Sequence, residues 1–554
     1  MKKWMATIGL VAGLVGGAPS AEAFCGFYVG GADAELFNNA TQVSLMREGT
    51  RTVLSMANNY QGPPSDFAMV VPVPVILQKE NVKTLPHDIF KKLDQLTAPR
   101  LVEYWEQDPC FVPPPMEAMP MMAPGAPMPA PVARSAPEGL GVKIEAQFTV
   151  GEYEILILSA ENSMGLDTWL RQEKYNIPRG AEPVLKPYVQ AGMKFFVAKV
   201  NINKVRKEGE RTMLSPLRFH YDSEKFELPV RLGLLNSSGT QDLIVHIFAQ
   251  GKRYEVANYP NVTIPTNIDL REDARGKFGA FYASLFDQTV SQNPRAAITE
   301  YAWDASSCDP CPSPPLNPSE LSTLGSDVLF PQNEVAVSAV PGAPPGMFAA
   351  PPPMPMPRPM PSRRFSGGFV VTRMHLRYGK SMLGEDLVFR EAAPIVGGRE
   401  VFTPGKETLE KGSRKDAINN FQARYAIRHP WKGPITCKNP RRGVWGGPPP
   451  EVKEVAHGPQ AATDLAFAPR GAVQLSAVVQ EAIPELRIEP GTSDPPLSPE
   501  LAGPGGPPSS RATGGCAGCT VGAPSGGALA GLGAFLTALL ALGRSARFPR
   551  NRRP

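Results

Sequence analysis

The chain has 554 residues, well beyond the roughly 250–300 at which a single hydrophobic core stops growing, so more than one packed unit and connecting segments are expected. Its 62 prolines exceed twice the usual share of ~5%, and they gather in a few tracts that leave the remainder an ordinary globular sequence. The net charge of +5 sits at the ends, with Arg544, Arg547, Arg550, Arg552 and Arg553 at one and Lys2 and Lys3 against Glu22 at the other. The nearly neutral body has no basic face for counterion release, which argues against nucleic acid as a partner.

The first residues, MKKWMATIGLVAGLVGGAPSAEAFCG, have the three parts of a secretory signal. Lys2 and Lys3 are followed by an apolar run from Met5 to Val15, and Ala21-Glu22-Ala23 is a small-x-small cleavage site. Cleavage is predicted between Ala23 and Phe24, which implies the export machinery as a partner. Segment 24–110 then reads as β-rich. Val43 and Leu45, then Thr52, Leu54 and Met56, alternate around Glu48-Gly49 as in a hairpin. Pro86 to Thr97 carries Ile89, Phe90, Leu93 and Leu96 on one face of a predicted helix.

Segment 111–137 is almost uncharged Pro, Met and Ala, and 340–361 repeats that composition; both read as semi-rigid spacers. Their methionines invite a soft-metal reading, but irregular spacing and the absence of histidine argue against it. No cofactor is expected. Between the spacers, 138–339 reads as α+β. Phe226 to Leu234 and Leu243 to Ile247 alternate about a turn at Asn236-Ser-Ser-Gly239, predicting an antiparallel pair that Tyr254 and Val256 extend to a meander. Asp273 to Gln292 has the apolar spacing of an amphipathic helix. Segment 362–445 is again β-rich, with Phe421, Ala423, Tyr425 and Ile427 on one side and Arg424 and Arg428 on the other. The predicted fold class is α+β, dominated by antiparallel sheet with a few packed helices. A Pro/Gly-rich stalk is expected over 446–515.

Cys308-Asp-Pro-Cys311 is the sharpest local motif. A CxxC pair exchanges disulfides when its first cysteine opens a helix, but Pro312, Pro314 and Pro315 deny it one, which favours a small structural disulfide in an oxidising compartment. Zinc would need a second ligand pair, and none stands out. Of the remaining body cysteines, Cys25 with Cys110 is the preferred pair, because they flank the first β-rich segment and closing that loop is worth up to ~4–5 kcal/mol. Other pairings, including those with Cys437, stay open. His87, His220, His246, His375, His429 and His457 show no HxH or HExxH spacing, and neither a G-x-S-x-G elbow nor a P-loop appears. No catalytic, cofactor-binding or metal residue is assigned.

The end of the chain combines Cys516 and Cys519, an apolar run over about 521–543 and the arginine cluster. The run is barely long enough to span a membrane, and the arginines would hold its end on the cytoplasmic side. These ordered parts resemble the myxobacterial C-terminal sorting domain (MYXO-CTERM). That resemblance implies cleavage by a sorting protease near Cys516 or Cys519, with a cysteine anchoring the product; a permanent membrane anchor is the alternative.

Several phrases of the body resemble a bacterial family known as domain of unknown function 2330. They are FCGFYVGGADAELFNNATQV, DFAMVVPVPV, GLDTWL, CDPCPSPPL, GEDLVFREAAPIVGGRE and NNFQARYAIRHPW, spread from Phe24 to Gly447. The resemblance implies export and carries no assigned chemistry. The expectation is therefore an exported, envelope-anchored protein with a structural or binding role. A thiol oxidoreductase using Cys308 and Cys311 is the alternative, and an envelope hydrolase with scattered residues is a third reading.

Overall fold

The computed structural model describes residues 27–30, 40–58, 67–110, 142–173, 175, 177, 180–208, 211–236, 240–331, 368–379, 383–400, 409–449, 458–463, 465 and 473–498. Within them the architecture is α+β, with antiparallel and mixed sheets and few helices.

The hairpin read from Val43 to Met56 is present. Strands Ala40–Glu48 and Arg51–Asn58 pair antiparallel, with Glu48 opposite Arg51 and Gly49 in the left-handed region at φ 56. The hairpin lies within an 11-stranded mixed sheet. Strand Gln241–Gln250 runs parallel to Ala40–Glu48 and antiparallel to Phe369–Tyr378, which pairs in turn with Ala297–Asp304. Neighbouring strands of one sheet thus come from both sides of each Pro/Met tract.

One face of this sheet, carrying Val43, Leu45, Leu54, Met56, Val245, Ile247 and Met374, packs on a five-stranded sheet through Met69, Val71, Ile155, Ile157, Phe196 and Ala198. Helices Ser163–Gln172 and Ala181–Gln190 cover the outer face of the smaller sheet, burying Leu166, Trp169, Leu170 and Leu185 against Val70, Phe195 and Val197. The other face of the large sheet is covered by helix Asp88–Thr97, whose Ile89, Phe90, Leu93 and Leu96 bury as the apolar spacing requires. Helix Phe278–Gln292 packs Phe278, Phe281 and Tyr282 against Tyr425 of a third sheet. The helix read from Asp273 is α-helical only from Phe278, because Glu272–Lys277 forms a 3-10 helix.

Two expectations are corrected. The antiparallel pair over 226–256 does not form. Pro229 lacks the N–H a ladder needs, so the strand is confined to Glu227–Leu228 and the chain continues as the 3-10 helix Arg231–Asn236. Phe226, Leu228, Val230 and Leu234 still bury in the inter-sheet core, while Arg253–Val256 pairs with Leu387–Ala392 instead of extending a meander. The stalk expected from Gly446 is also partly built into the body. Leu475, Val478, Val479, Ile483, Leu486 and Ile488 are buried with helix Phe278–Gln292, and Gln460–Ala461 pairs with Arg100–Glu106. Among the described residues no helix is long and apolar enough to cross a membrane; the run at 521–543 lies outside them.

Candidate functional site

A strand points alternate residues to opposite faces. In Phe369–Tyr378, Met374, Leu376 and Tyr378 enter the inter-sheet core, so Arg373, His375 and Arg377 share the opposite face. That face is buried under helices Asp88–Thr97 and Phe278–Gln292, and each cation finds its acid there. Arg373 donates to Asp94 at 2.5 Å and Glu300 at 2.6 Å. Arg377 donates to Asp242 at 2.9 Å and also to Asp287. His375 bridges Glu300 at 2.9 Å and Asp242 at 3.1 Å, and its ring stacks on Phe286 at 3.7 Å between centroids. Tyr282 adds a hydrogen bond to Glu300 at 2.6 Å.

This spine sets its own protonation. Burial alone would raise Glu300, yet the charges of Arg373 and His375 bring it down to about 2. Burial likewise opposes a proton on His375, but the charge of Glu300 and hydrogen bonds to Asp242 and Glu300 hold its pKa above the usual value. His246, one strand away, is pushed well below its usual value by burial and by Arg373. Thr97 Oγ1 lies 2.8 Å from Leu93 O and 3.0 Å from His246 Nε2. The groups are mutually engaged and shielded from solvent, which suits them to fixing helices on a sheet. The cavity beside Tyr259, Arg295, Leu376 and Leu383 holds about 10 Å³, room for one water, and offers no substrate cleft. Among the described residues no group of three or more His, Cys, Asp or Glu side chains is placed to hold a metal.

At one end of strand Ala297–Asp304 the CxxC segment forms a loop closed by a Cys308–Cys311 disulfide. Leu316 N donates to Ala305 O at 3.1 Å, closing the base, and the side chain of Asp304 accepts from Ser306 N at 2.8 Å. From beneath, Arg100 Nη1 donates to Pro310 O at 2.8 Å and Gln422 Nε2 donates to Asp309 O. Gln422 Nε2 also reaches Gly398 O at 2.8 Å; Gly398 has φ +64, and a Cβ there would lie 1.9 Å from Gln422 O. Cys311 is exposed and Cys308 partly buried, but the next helix begins only at Pro318, so neither sulfur sits at a helix N-terminus.

The second disulfide corrects the preferred pairing. Cys110 joins Cys437, not Cys25, across 327 residues with Cα atoms 5.5 Å apart. The reason is sheet order: Arg100–Glu106 runs parallel to Arg424–His429, so both chains leave the same end of the sheet with a cysteine a few residues beyond. Arg441 N then donates to Pro109 O at 2.8 Å, and Trp445–Gly446 pairs with the end of Arg100–Glu106. Cys25, the Ala23/Phe24 cleavage site, Cys516 and Cys519 lie outside the described residues.

Residue-type patterns missed Arg373, Glu300 and Arg100, and gave His375 and Arg424 no functional role. The Arg-x-His-x-Arg alternation in FVVTRMHLRY was the available signal, since it gives a strand one charged face.

No curated protein and no solved structure matches the chain. The model of the family described as an uncharacterized protein conserved in bacteria, domain of unknown function 2330, matches residues 19–390. The match ends short of the expected Gly447, so NNFQARYAIRHPW, although it supplies Gln422 and Arg424 to the folded body, lies beyond it. Covering well over half of the chain, the match establishes that this protein belongs to the domain of unknown function 2330 family.

Proposed function

We propose that the chain is an exported protein displayed in the cell envelope, where its sheet-rich body has a structural or binding role. The observation that carries this reading is the Cys110–Cys437 disulfide, which ties distant parts of the chain and persists in an oxidising compartment. The signal-like start and the sorting-domain-like end point the same way. On this reading export machinery and a sorting protease handle the chain, with Cys516 or Cys519 as the processing position and 521–543 as the membrane segment. The buried spine, engaged with itself and remote from solvent, favours a scaffold over a catalyst.

Fractionation of cells, followed by protease treatment of intact cells, tests the reading. Recovery with the envelope and cleavage from outside support it; a protein found in the cytoplasm and protected overturns it.

The exposure of Cys311 favours a second reading, an envelope thiol oxidoreductase using Cys308 and Cys311. Redox titration separates the two. A potential below about −300 mV marks a structural bond, and a higher one supports exchange.

A further inference from the structure

Among the described residues most buried arginines are paired with acids, and Arg47 is instead satisfied by the carbonyls of Thr50, Ser223 and Glu224 and by Thr52 Oγ1. Arg373 has Asp94 and Glu300, Arg377 has Asp242 and Asp287, and Arg218 has Asp327 at 2.5 Å. Arg100 and Arg424 are both 0% exposed, yet among the described residues neither has a carboxylate within ion-pair distance. They are also register partners on adjacent parallel strands, which places the two side chains on the same face.

Their hydrogen bonds are incomplete in a complementary way. Arg100 uses Nη1 on Pro310 O and Nη2 on Leu96 O at 2.7 Å, and its guanidinium lies over the Tyr301 ring, but its Nε has no partner. Arg424 uses Nε on Asn267 Oδ1 at 3.0 Å and Nη1 on Tyr104 Oη at 2.8 Å, but its Nη2 has none. Gln422 Oε1, two residues from Arg424, is likewise unpartnered. Burial pulls both guanidiniums below their usual pKa, and the charge of Arg424 adds to the effect on Arg100. Asp309 and Glu400 offset part of this from a distance. An arginine stays charged in a protein, so two neighbouring buried cations with free donors call for an anion.

We propose that Arg100 and Arg424 form a buried binding site for a small oxyanion, a carboxylate or phosphate group, closed by the Cys308–Cys311 loop. The planar guanidinium fork suits such groups, and Gln422 Oε1 suits the protonated oxygen of a hydrogen phosphate. The loop is the lid: its Asp309 and Pro310 carbonyls occupy donors of Gln422 and Arg100, so opening the loop frees both. The site rests on the binding half of the reading above and names its ligand class, independently of where the protein resides.

The test is hydrogen-exchange mass spectrometry of the purified, oxidised full-length protein in sodium phosphate, acetate or chloride at equal ionic strength. Phosphate or acetate at about 100 times its Kd should slow exchange limited by site opening about 100-fold. The slowing should fall in peptides covering 96–106, 304–316 and 420–429. Arg424→Lys, which keeps the charge and loses the fork, should weaken the effect at least tenfold. Equal exchange in all three salts, or protection confined to other segments, overturns the site. A protein that binds phosphate but is not exported keeps the site and loses the envelope reading; an exported protein without anion-dependent protection does the reverse.

Discussion

His375 Nδ1 lies 2.9 Å from Glu300 Oε1, with both side chains buried between a sheet and two helices. The pair joins the ion pairs of Arg373 to those of Arg377, so one imidazole links cations and acids drawn from two helices and three strands.

The pH dependence of stability follows from that position. His375 is held above its unfolded pKa, so its contribution is complete below about pH 6.5 and is lost as pH rises through the folded value. His246 acts with the opposite sign: held below its unfolded pKa, it destabilises the fold as pH falls under about 6.5. Urea midpoints from pH 5 to 9 should fall on the alkaline side, and His375→Gln should remove that slope while leaving the His246 effect.

Breaking the spine should cost more than replacing it. Arg373→Met removes the buried cation that Asp94 and Glu300 share and should destabilise by about 3–5 kcal/mol. Adding Asp94→Leu to Arg373→Met should recover part of that loss in chemical denaturation, because Glu300 keeps its bonds from His375 and Tyr282.

The hairpin from Val43 to Met56 and the helix ending at Thr97 were legible because alternation and the 3.6-residue repeat are local properties. The strand from Phe421 was legible on its apolar side, whereas Arg424 on the other side proved fully buried. Its environment depends on Arg100, more than 300 positions earlier, and no local pattern encodes that pairing. The Cys110–Cys437 bond was hidden for the same reason. Leu475 and Val479 were masked by the Pro/Gly-rich composition around them, which describes the segment's average and not its few apolar anchors.

The Leu475 segment should behave as part of the body. Leu475 and Val479 are 0% exposed against the Phe278–Gln292 helix core, so Leu475→Ala should cost about 2–5 kcal/mol in urea unfolding. A solvated stalk would register no change.

The two disulfides should differ in thermodynamic weight. Cys110→Ala with Cys437→Ala releases a loop of 327 residues and should cost about 2–5 kcal/mol. Cys308→Ala with Cys311→Ala releases a separation of only 3 and should cost less by the same chain-entropy argument. Paired denaturation curves check the order.

The most direct measurement is intact and peptide mass spectrometry of the protein recovered from cell envelopes, with free thiols alkylated before denaturation. The account expects a mature chain beginning at Phe24, with Cys110 linked to Cys437 and Cys308 to Cys311. A chain retaining Met1, with these four cysteines alkylated, would contradict it.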